Sequence, residues 1–395
     1  MKRIYLDHNA TTPVLPEVLE AMLPYMTEHF GNGSSIHSYG REARNAIDTA
    51  REQVADLIGA KSSSEIVFTS CGTEADNHAI KGIAELQSAR NMGVHIITSS
   101  IEHHAVLHTC QYLEKRGFEV TYLPVDRYGR IRIEDLREAI RNTTILISIM
   151  HANNETGTIE PIEAVCQVAS EHHIPVHTDA VQSIGKLSVN VQDLGVNMLS
   201  LSGHKIYGPK GIGVLYIRRG TRLENLLHGG SHERNRRAGS ENVPMIVGIG
   251  VAAALAKQRQ ETYAQRLRQL TSKLRDGLHE RLDYIYENGH PEHCLPGTLN
   301  MSFEFVEGES LILRLDMEGI CVSTGSACTS GSMEPSHVLA ALSLPPQLAQ
   351  GTVRFSLGRE NTETEIDEVI EKVPKIVEQM RAMSPAYKRK MNRDA

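Results

Sequence analysis

The sequence predicts an α/β protein built on a mostly parallel sheet, and three observations lead there. Short β-branched runs alternate with amphipathic stretches from Ser64 to about Met301. Several of those runs end in polar, glycine-containing turns. A charge-rich helical pattern from about Val251 to Leu282, without glycine until Gly277, then marks a change of texture. Strands that alternate with helices pair in parallel and are covered on both faces.

In chain order, Glu65-Ile-Val-Phe-Thr-Ser70 reads as a strand and Thr73 to Ser88 as a helix. Val94 to Ser99 is a strand, and Ala105 to Gly117 a helix closed by glycine. Phe118 to Pro124 is a strand, and Ile133 to Asn142 a helix opened by acidic residues. Apolar runs follow at Thr144 to Met150, Pro175 to Thr178 and Met198 to Ser202, with a helix at Pro161 to His172 between the first two. The long pattern after Val251 reads as a connector to a smaller C-terminal domain. That domain holds the apolar segments Thr298 to Phe305 and Thr352 to Ser356 and a closing helix, Glu363 to Met383. The first dozen residues are expected to pack against it, and the tail Tyr387 to Ala395 to fray. The division expected is 13–255 for a large domain, with 1–12 and 256–395 forming the small one.

Composition narrows the function classes. The chain has 395 residues, which at roughly 150 per domain means two or three domains. Its 41 basic and 48 acidic residues leave a net charge of −7, which argues against nucleic acid or an anionic membrane as partner. The longest nearly apolar run, Pro244 to Ala256, is shorter than the roughly 20 residues of a spanning helix. An acid, Asp7, stands where a signal peptide would continue its apolar core, so a soluble, cytoplasmic protein is expected. Six cysteines without a C-x-x-C pair do not make a disulfide framework. Five of them, Cys71, Cys110, Cys166, Cys294 and Cys321, sit in apolar or turn contexts and read as structural. Nineteen histidines without H-E-x-x-H argue against an intrinsic metal site.

Ligands of parallel sheets gather at the carboxyl ends of strands, and three such ends stand out. Ile66-Val-Phe-Thr-Ser-Cys-Gly-Thr-Glu74 turns into a helix whose free N–H groups would face an anion, with Gly72 permitting close approach and Thr73 adding a hydroxyl. His177-Thr-Asp-Ala-Val-Gln182 ends an apolar strand on Asp179, which needs a cation or strong donor. Leu199-Ser-Leu-Ser-Gly-His-Lys205 ends on a lysine whose burial would favour nucleophilic use. Taken singly, each has a plainer alternative: a Thr N-cap, an Asp helix cap, a surface lysine in a glycine-rich loop. Together, in this order, they meet the needs of pyridoxal phosphate: a lysine for the Schiff base, a carboxylate for the pyridinium nitrogen and a phosphate cradle completed by Ser202 and His204. His103, ending Ser100-Ile-Glu-His103, is placed to lie over the ring.

A fourth segment, Val322-Ser-Thr-Gly-Ser-Ala-Cys328-Thr-Ser-Gly-Ser332, is nearly all small residues and offers Cys328 as a nucleophile suited to carrying something away from an active site. Two further patterns were set aside. Gly248-Ile-Gly250 lacks the preceding strand of a dinucleotide fingerprint. Arg234, Arg236 and Arg237 are too few for a nucleic-acid stripe and suit a phosphate or a partner subunit.

On these residues the sequence resembles the cysteine desulfurases of the NifS/IscS type. The matching segments are Tyr5-Leu-Asp-His-Asn-Ala-Thr-Thr-Pro13, Phe68-Thr-Ser-Cys-Gly-Thr-Glu74, His151-Ala-Asn-Asn-Glu-Thr-Gly157 and His177-Thr-Asp-Ala-Val-Gln182. To these are added Ser202-Gly-His-Lys205, Arg236-Arg-Ala-Gly-Ser-Glu-Asn242, Gly325-Ser-Ala-Cys-Thr-Ser330 and Val353-Arg-Phe-Ser-Leu-Gly-Arg359. The resemblance implies a fold-type I pyridoxal-phosphate enzyme with a seven-stranded large-domain sheet and a smaller α+β domain. It also implies a homodimer that converts L-cysteine to L-alanine and keeps the sulfur as a persulfide. Carried over by motif, Lys205 holds the cofactor, Asp179 bonds its ring nitrogen, Gln182 contacts its ring oxygen and His103 stacks and shuttles protons. Gly72, Thr73, Ser202 and His204 bind the phosphate, and Ser240 that of the other subunit. Asn154 and Arg354 hold the substrate carboxylate, Arg354 as a bidentate fork. Cys328 accepts the sulfur.

The longer loop around Cys328 implies delivery to an iron–sulfur scaffold protein of the IscU/NifU type, with Cys328 also a transient iron–sulfur ligand. Two positions depart from the family pattern: Ser240 replaces a threonine and Gly33 a proline. A selenocysteine lyase and a non-catalytic regulatory subunit are the alternatives to be separated by experiment.

Overall fold

Strand positions follow the β-branched runs closely. The structure, a computed structural model, describes residues 3–324 and 336–394. Its strands are β1 (Ile4–Tyr5), β2 (Ile66–Thr69), β3 (His95–Ser99), β4 (Glu119–Leu123), β5 (Thr144–Ser148), β6 (Val176–Asp179), β7 (Met198–Ser202), β8 (Gly213–Ile217), β9 (Ile285–Glu287), β10 (Thr298–Phe303), β11 (Ile320–Cys321) and β12 (Thr352–Ser356). Seven form one sheet in the order β2-β8-β7-β6-β5-β3-β4. Only β8 runs against its neighbours, β2 and β7. The remaining pairs are parallel. The expected mostly parallel, seven-stranded sheet is therefore present, and six of its strands end on one edge.

Both faces of the sheet are covered. On one, Ala75, Ala79, Ile80 and Ile83 of the Gly72–Ala89 helix pack with Val106 and Cys110 of the His104–Glu114 helix. On the other, the Ser38–Leu57 helix buries Ala43, Ile47, Ala50 and Val54 against Ile246, Ile249 and Ala253. Emptying one large position here, as in Ile80→Ala, should cost about 2–5 kcal/mol.

Several elements differ from the sequence reading. Strand β8 and the Ser38–Leu57 helix were not expected. The connector begins at Val243, so the apolar Pro244 to Ala256 run is its first half, within a helix of 37 residues. A Cβ on Gly248 would meet the Met22 sulfur at 2.6 Å, and one on Gly250 the Ala50 Cα at 2.6 Å. Those glycines therefore serve helix packing, which explains the imitation of a nucleotide fingerprint. The tail forms the Pro385–Asp394 helix instead of fraying; it packs on the preceding helix, with Arg381 over the Tyr387 ring at 5.8 Å.

A second apolar core gathers Ile4, Leu6, residues of the long helix from Leu267 onward, and the antiparallel sheet β12-β10-β9. The buried residues of that helix up to Ala253 belong to the first core. The chain start threads between the two. Strand β1 pairs with β11, His8 N–H donates to Ser356 O at 3.0 Å, and Thr12 N–H donates to His204 O at 3.0 Å. No helix of the described residues is long and apolar enough to cross a membrane.

Candidate active site

The carboxyl edge of the large sheet collects the predicted residues. Strands β6 and β7 are adjacent and parallel, with Asp179 opposite Ser200. Asp179 ends β6, and Lys205 follows β7 in a 3-10 turn, Gly203–Lys205. Neighbouring strands lie about 4.8 Å apart, so acid and amine project into one space. The Asp179 carboxyl is pushed up to about 6 by burial, opposed by the Val181 N–H it accepts at 2.9 Å and by the charge of Lys205. Asp179 is thus a turn-forming acid and caps no helix.

Asp76 is held well above the ordinary carboxylate range by burial and by the neighbouring Asp179. His177 fills the space between strands, sharing hydrogen bonds of 2.9 Å with Ser148 and with Ser200. Burial lowers its pKa to about 3, so it is neutral.

Lys205 Nζ donates to the carbonyls of Asn9 at 2.5 Å and Ala10 at 2.8 Å. The chain start is therefore part of the site. Around it, His103 accepts the Ala105 N–H on Nδ1 at 3.1 Å. That bond leaves the ring proton of the neutral imidazole on Nε2. Burial, then Lys205 and the histidines His104, His337 and His108, lower its pKa to about 4. Burial and Lys205 do the same to His204, whose Nδ1 lies 3.1 Å from Thr11 Oγ1. Glu102 lies below, accepting the Ser99 hydroxyl at 2.6 Å and the Met150 N–H at 2.9 Å, and burial lifts it to about 8.

The anion cradle has the expected parts. The Gly72–Ala89 helix starts after Cys71 with no side-chain cap, which places Thr73 inside the first turn and excludes it as the N-cap. A Cβ on Gly72 would lie 2.9 Å from Val181 Cγ2 and 3.6 Å from the Cβ of Ser202. Only glycine lets these two turns close on one another. An uncapped helix start, a buried Ser202, a half-buried lysine and a buried acid form a donor set that fits pyridoxal phosphate.

The substrate side is more heavily bonded than the resemblance suggested. Arg354 is 2% exposed; its Nη2 donates to Asp7 Oδ1 at 2.7 Å and its Nη1 to the Asn154 carbonyl at 2.8 Å. An entering carboxylate must therefore share the fork with Asp7, using the remaining N–H groups, among them a buried and unpartnered Nε. The arginine cluster is likewise occupied within the chain. Arg237 is bonded to Glu74 at 2.8 Å and Arg236 to the Ser64 carbonyl at 3.0 Å. Ser240 is exposed. Cys328 lies outside the described residues. The chain on either side of it is anchored here: Ser323 pairs with Arg354, and the Ser336 hydroxyl donates to Glu155 at 2.6 Å. Burial pushes the thiols of Cys110, Cys166 and Cys294 up to about 12, in keeping with structural roles.

Sequence reasoning passed over two residues that the structure puts at the centre. Asn9 was within a recognised segment but given no role, and Lys186 was not considered. The available signal was a lone lysine in the otherwise uncharged stretch Ala180-Val-Gln-Ser-Ile-Gly-Lys186.

Comparison with known proteins agrees with this geometry. The chain matches the aminotransferase class-V family over residues 4–369. It is 55% identical over 384 residues to the cysteine desulfurase IscS of Methanosarcina thermophila, covering 97% of this chain and 94% of that one. The chain belongs to the cysteine desulfurases of the class-V aminotransferase family. To the Dictyoglomus turgidum IscS it is 54% identical, with 98% and 97% covered. Among solved structures, a NifS-like protein superposes with a TM-score of 0.89 at 41% identity, covering 95% of this chain and 99% of the other. SspA in complex with cysteine gives 0.80 at 43% identity, covering 89% and 98%. Members of this family are pyridoxal-phosphate enzymes, and so is this chain.

Proposed function

We propose that this chain converts L-cysteine to L-alanine and retains the sulfur as a persulfide on Cys328. The observation that carries the reading is the buried Asp179 and the Lys205 amine at the ends of adjacent parallel strands, each within the other's electrostatic reach. Bound there, pyridoxal phosphate supplies an electron sink for bonds at the substrate α-carbon. Lys205 would hold the cofactor through its amine and would serve as the base at the substrate α-carbon. Asp179 keeps the ring nitrogen protonated, while Gly72, Thr73, Ser202 and His204 hold the phosphate and Gln182 faces the ring oxygen. Neutral His103, with its proton on Nε2, stacks on the ring and passes protons. Asn154 and Arg354 orient the substrate carboxylate.

Cys328 attacks the substrate sulfur. An S–S bond forms as the Cβ–S bond breaks, and the electron pair left on carbon takes a proton to complete alanine. Cys328 stands five positions beyond Ser323, a span of at most about 17 Å. The persulfide can then pass to an iron–sulfur scaffold protein in the cytoplasm. The exposed Ser240 suits a role at the phosphate of a second subunit in a homodimer. Residues 13–255 on one side, and 1–12 with 256–395 on the other, form the two domains of each subunit.

The test follows alanine release, cofactor absorbance and the mass of Cys328 on mixing the holoenzyme with L-cysteine. Cys328→Ala should keep the visible band but gain no sulfur and release no alanine; full turnover by that variant would remove Cys328 as acceptor. Alanine release from L-selenocysteine that persists in Cys328→Ala, while release from L-cysteine is slow with or without Cys328, would favour a selenocysteine lyase.

A further inference from the structure

Lys186 is a deeply buried cation beside the site, 4% exposed, and among the described residues no carboxylate forms an ion pair with it. Its Nζ donates to two neutral amide oxygens, Asn9 Oδ1 at 2.7 Å and Gln182 Oε1 at 3.2 Å. The charges that face it are alike. Lys205 and Arg354 add to burial in lowering its pKa to about 7, and His8 is depressed in part by Lys186. Arg359 and Tyr207 line the same cavity of about 410 Å³, and Asp7 is engaged by Arg354. A buried, unpaired ammonium is costly unless its hydrogen bonds serve a purpose.

An ammonium can only donate, so the bond from Lys186 fixes which end of the Gln182 amide faces it. The other end, Nε2, donates one hydrogen to the Asn9 carbonyl at 2.9 Å. Turning the amide over would set donor against donor at Lys186 and acceptor against acceptor at Asn9. While Lys186 is charged, the second Nε2 hydrogen stays a donor, and the cation on Oε1 makes that donor stronger.

We propose that Lys186 is a positioning residue that orients and polarises the Gln182 amide, so that Nε2 is held as a strong donor toward the cofactor's ring oxygen. This rests on the placement of Gln182 given under the proposed function. A donor there stabilises the charged ring oxygen and lowers the pH at which the Lys205-linked cofactor loses its proton.

The experiment titrates the visible absorbance of the holoenzyme against pH, without substrate, in wild type, Lys186→Met, Gln182→Ala and the double variant. Lys186→Met should raise the midpoint by about half to one pH unit, and Gln182→Ala by at least as much. In the Gln182→Ala background, Lys186→Met should add nothing further. Equal shifts in both backgrounds would mean that Lys186 acts through its charge alone and would overturn the proposal, as would no shift at all. Asn9→Ala covers the case in which Lys186→Met does not fold. It leaves the Lys186–Gln182 bond and should keep the midpoint of wild type, whereas a rise like that of Gln182→Ala would assign the effect to Asn9. Lys205→Ala separates the underlying reading: if its cofactor absorbance and that of wild type titrate alike, Lys205 is not the linkage and the proposed function fails independently of Lys186.

Discussion

Two buried groups of charges flank the large sheet, and they are built on opposite plans. Outside β2, Arg51 and Glu233 form a bidentate pair at 2.6 and 2.8 Å, both nearly without exposure. Their spare capacity is used as well: Glu233 accepts the Phe68 N–H at 2.9 Å, and Arg51 donates to the Ile66 carbonyl at 2.9 Å. At the carboxyl edge, by contrast, Lys186 and Lys205 face carbonyl and amide oxygens, while Asp179 and Asp76 crowd each other. The first group pairs unlike charges and locks a strand to a loop. The second sets like charges side by side, Lys186 beside Lys205 and Asp76 beside Asp179, which shifts proton affinities. The pairing of unlike charges, more than burial, separates the structural group from the chemical one.

The sharpest way to break this contrast is Lys205→Ala, which should lower alanine release by at least about 10²–10⁴-fold with little change in the unfolding midpoint of the apoprotein. At the Arg51–Glu233 pair the opposite division is expected. Arg51→Met leaves Glu233 buried and alone and should cost about 3–5 kcal/mol in denaturant unfolding, while the pH profile of the surviving activity stays in place.

Asp179→Asn tests whether the crowding of like charges at the site costs stability. Asp179 has a folded-state value of about 6 against an ordinary 3.8. Between those values the folded apoprotein holds a proton that the unfolded chain has released. Stability therefore falls with rising pH across that window, and the cost is complete above it. The amide removes this cost, so the apo variant should be more stable above pH 6, by up to about 3 kcal/mol, and catalytically impaired. Equal stability of the two proteins at pH 7.5 would contradict it. The smallest effect belongs to a helix cap far from either group. Thr362 accepts the Glu365 N–H while Glu365 accepts the Thr362 N–H. Thr362→Ala should cost about 1 kcal/mol in thermal or denaturant unfolding and leave alanine release alone.

Much of the site was legible because strand ends announce themselves. A β-branched run that stops on Asp179 or on Ser202-Gly-His-Lys205 carries its polar residues to a known edge. Strand β8 was missed because it runs antiparallel with no helix before it, and so breaks the alternation by which the others were found. The tail was read as frayed because its composition is polar; the packing of Tyr387 under Arg381 overrides that local preference. Arg354 was assigned its fork, but not the Asp7 that already shares it, since a β-strand pattern says nothing about what lies across from a side chain.

The sequence by itself determined which polar residues stand at the strand ends and the alternation of strands and helices that brings them to one edge, because side-chain type and hydrophobic period are local properties. Only the tertiary structure decided how their charges are balanced. Lys186 meets Asn9 across 177 positions of chain, and Arg354 meets Asp7 across 347. Such contacts depend on how the chain start threads between two cores, and proton affinities depend in turn on those contacts and on the water they exclude.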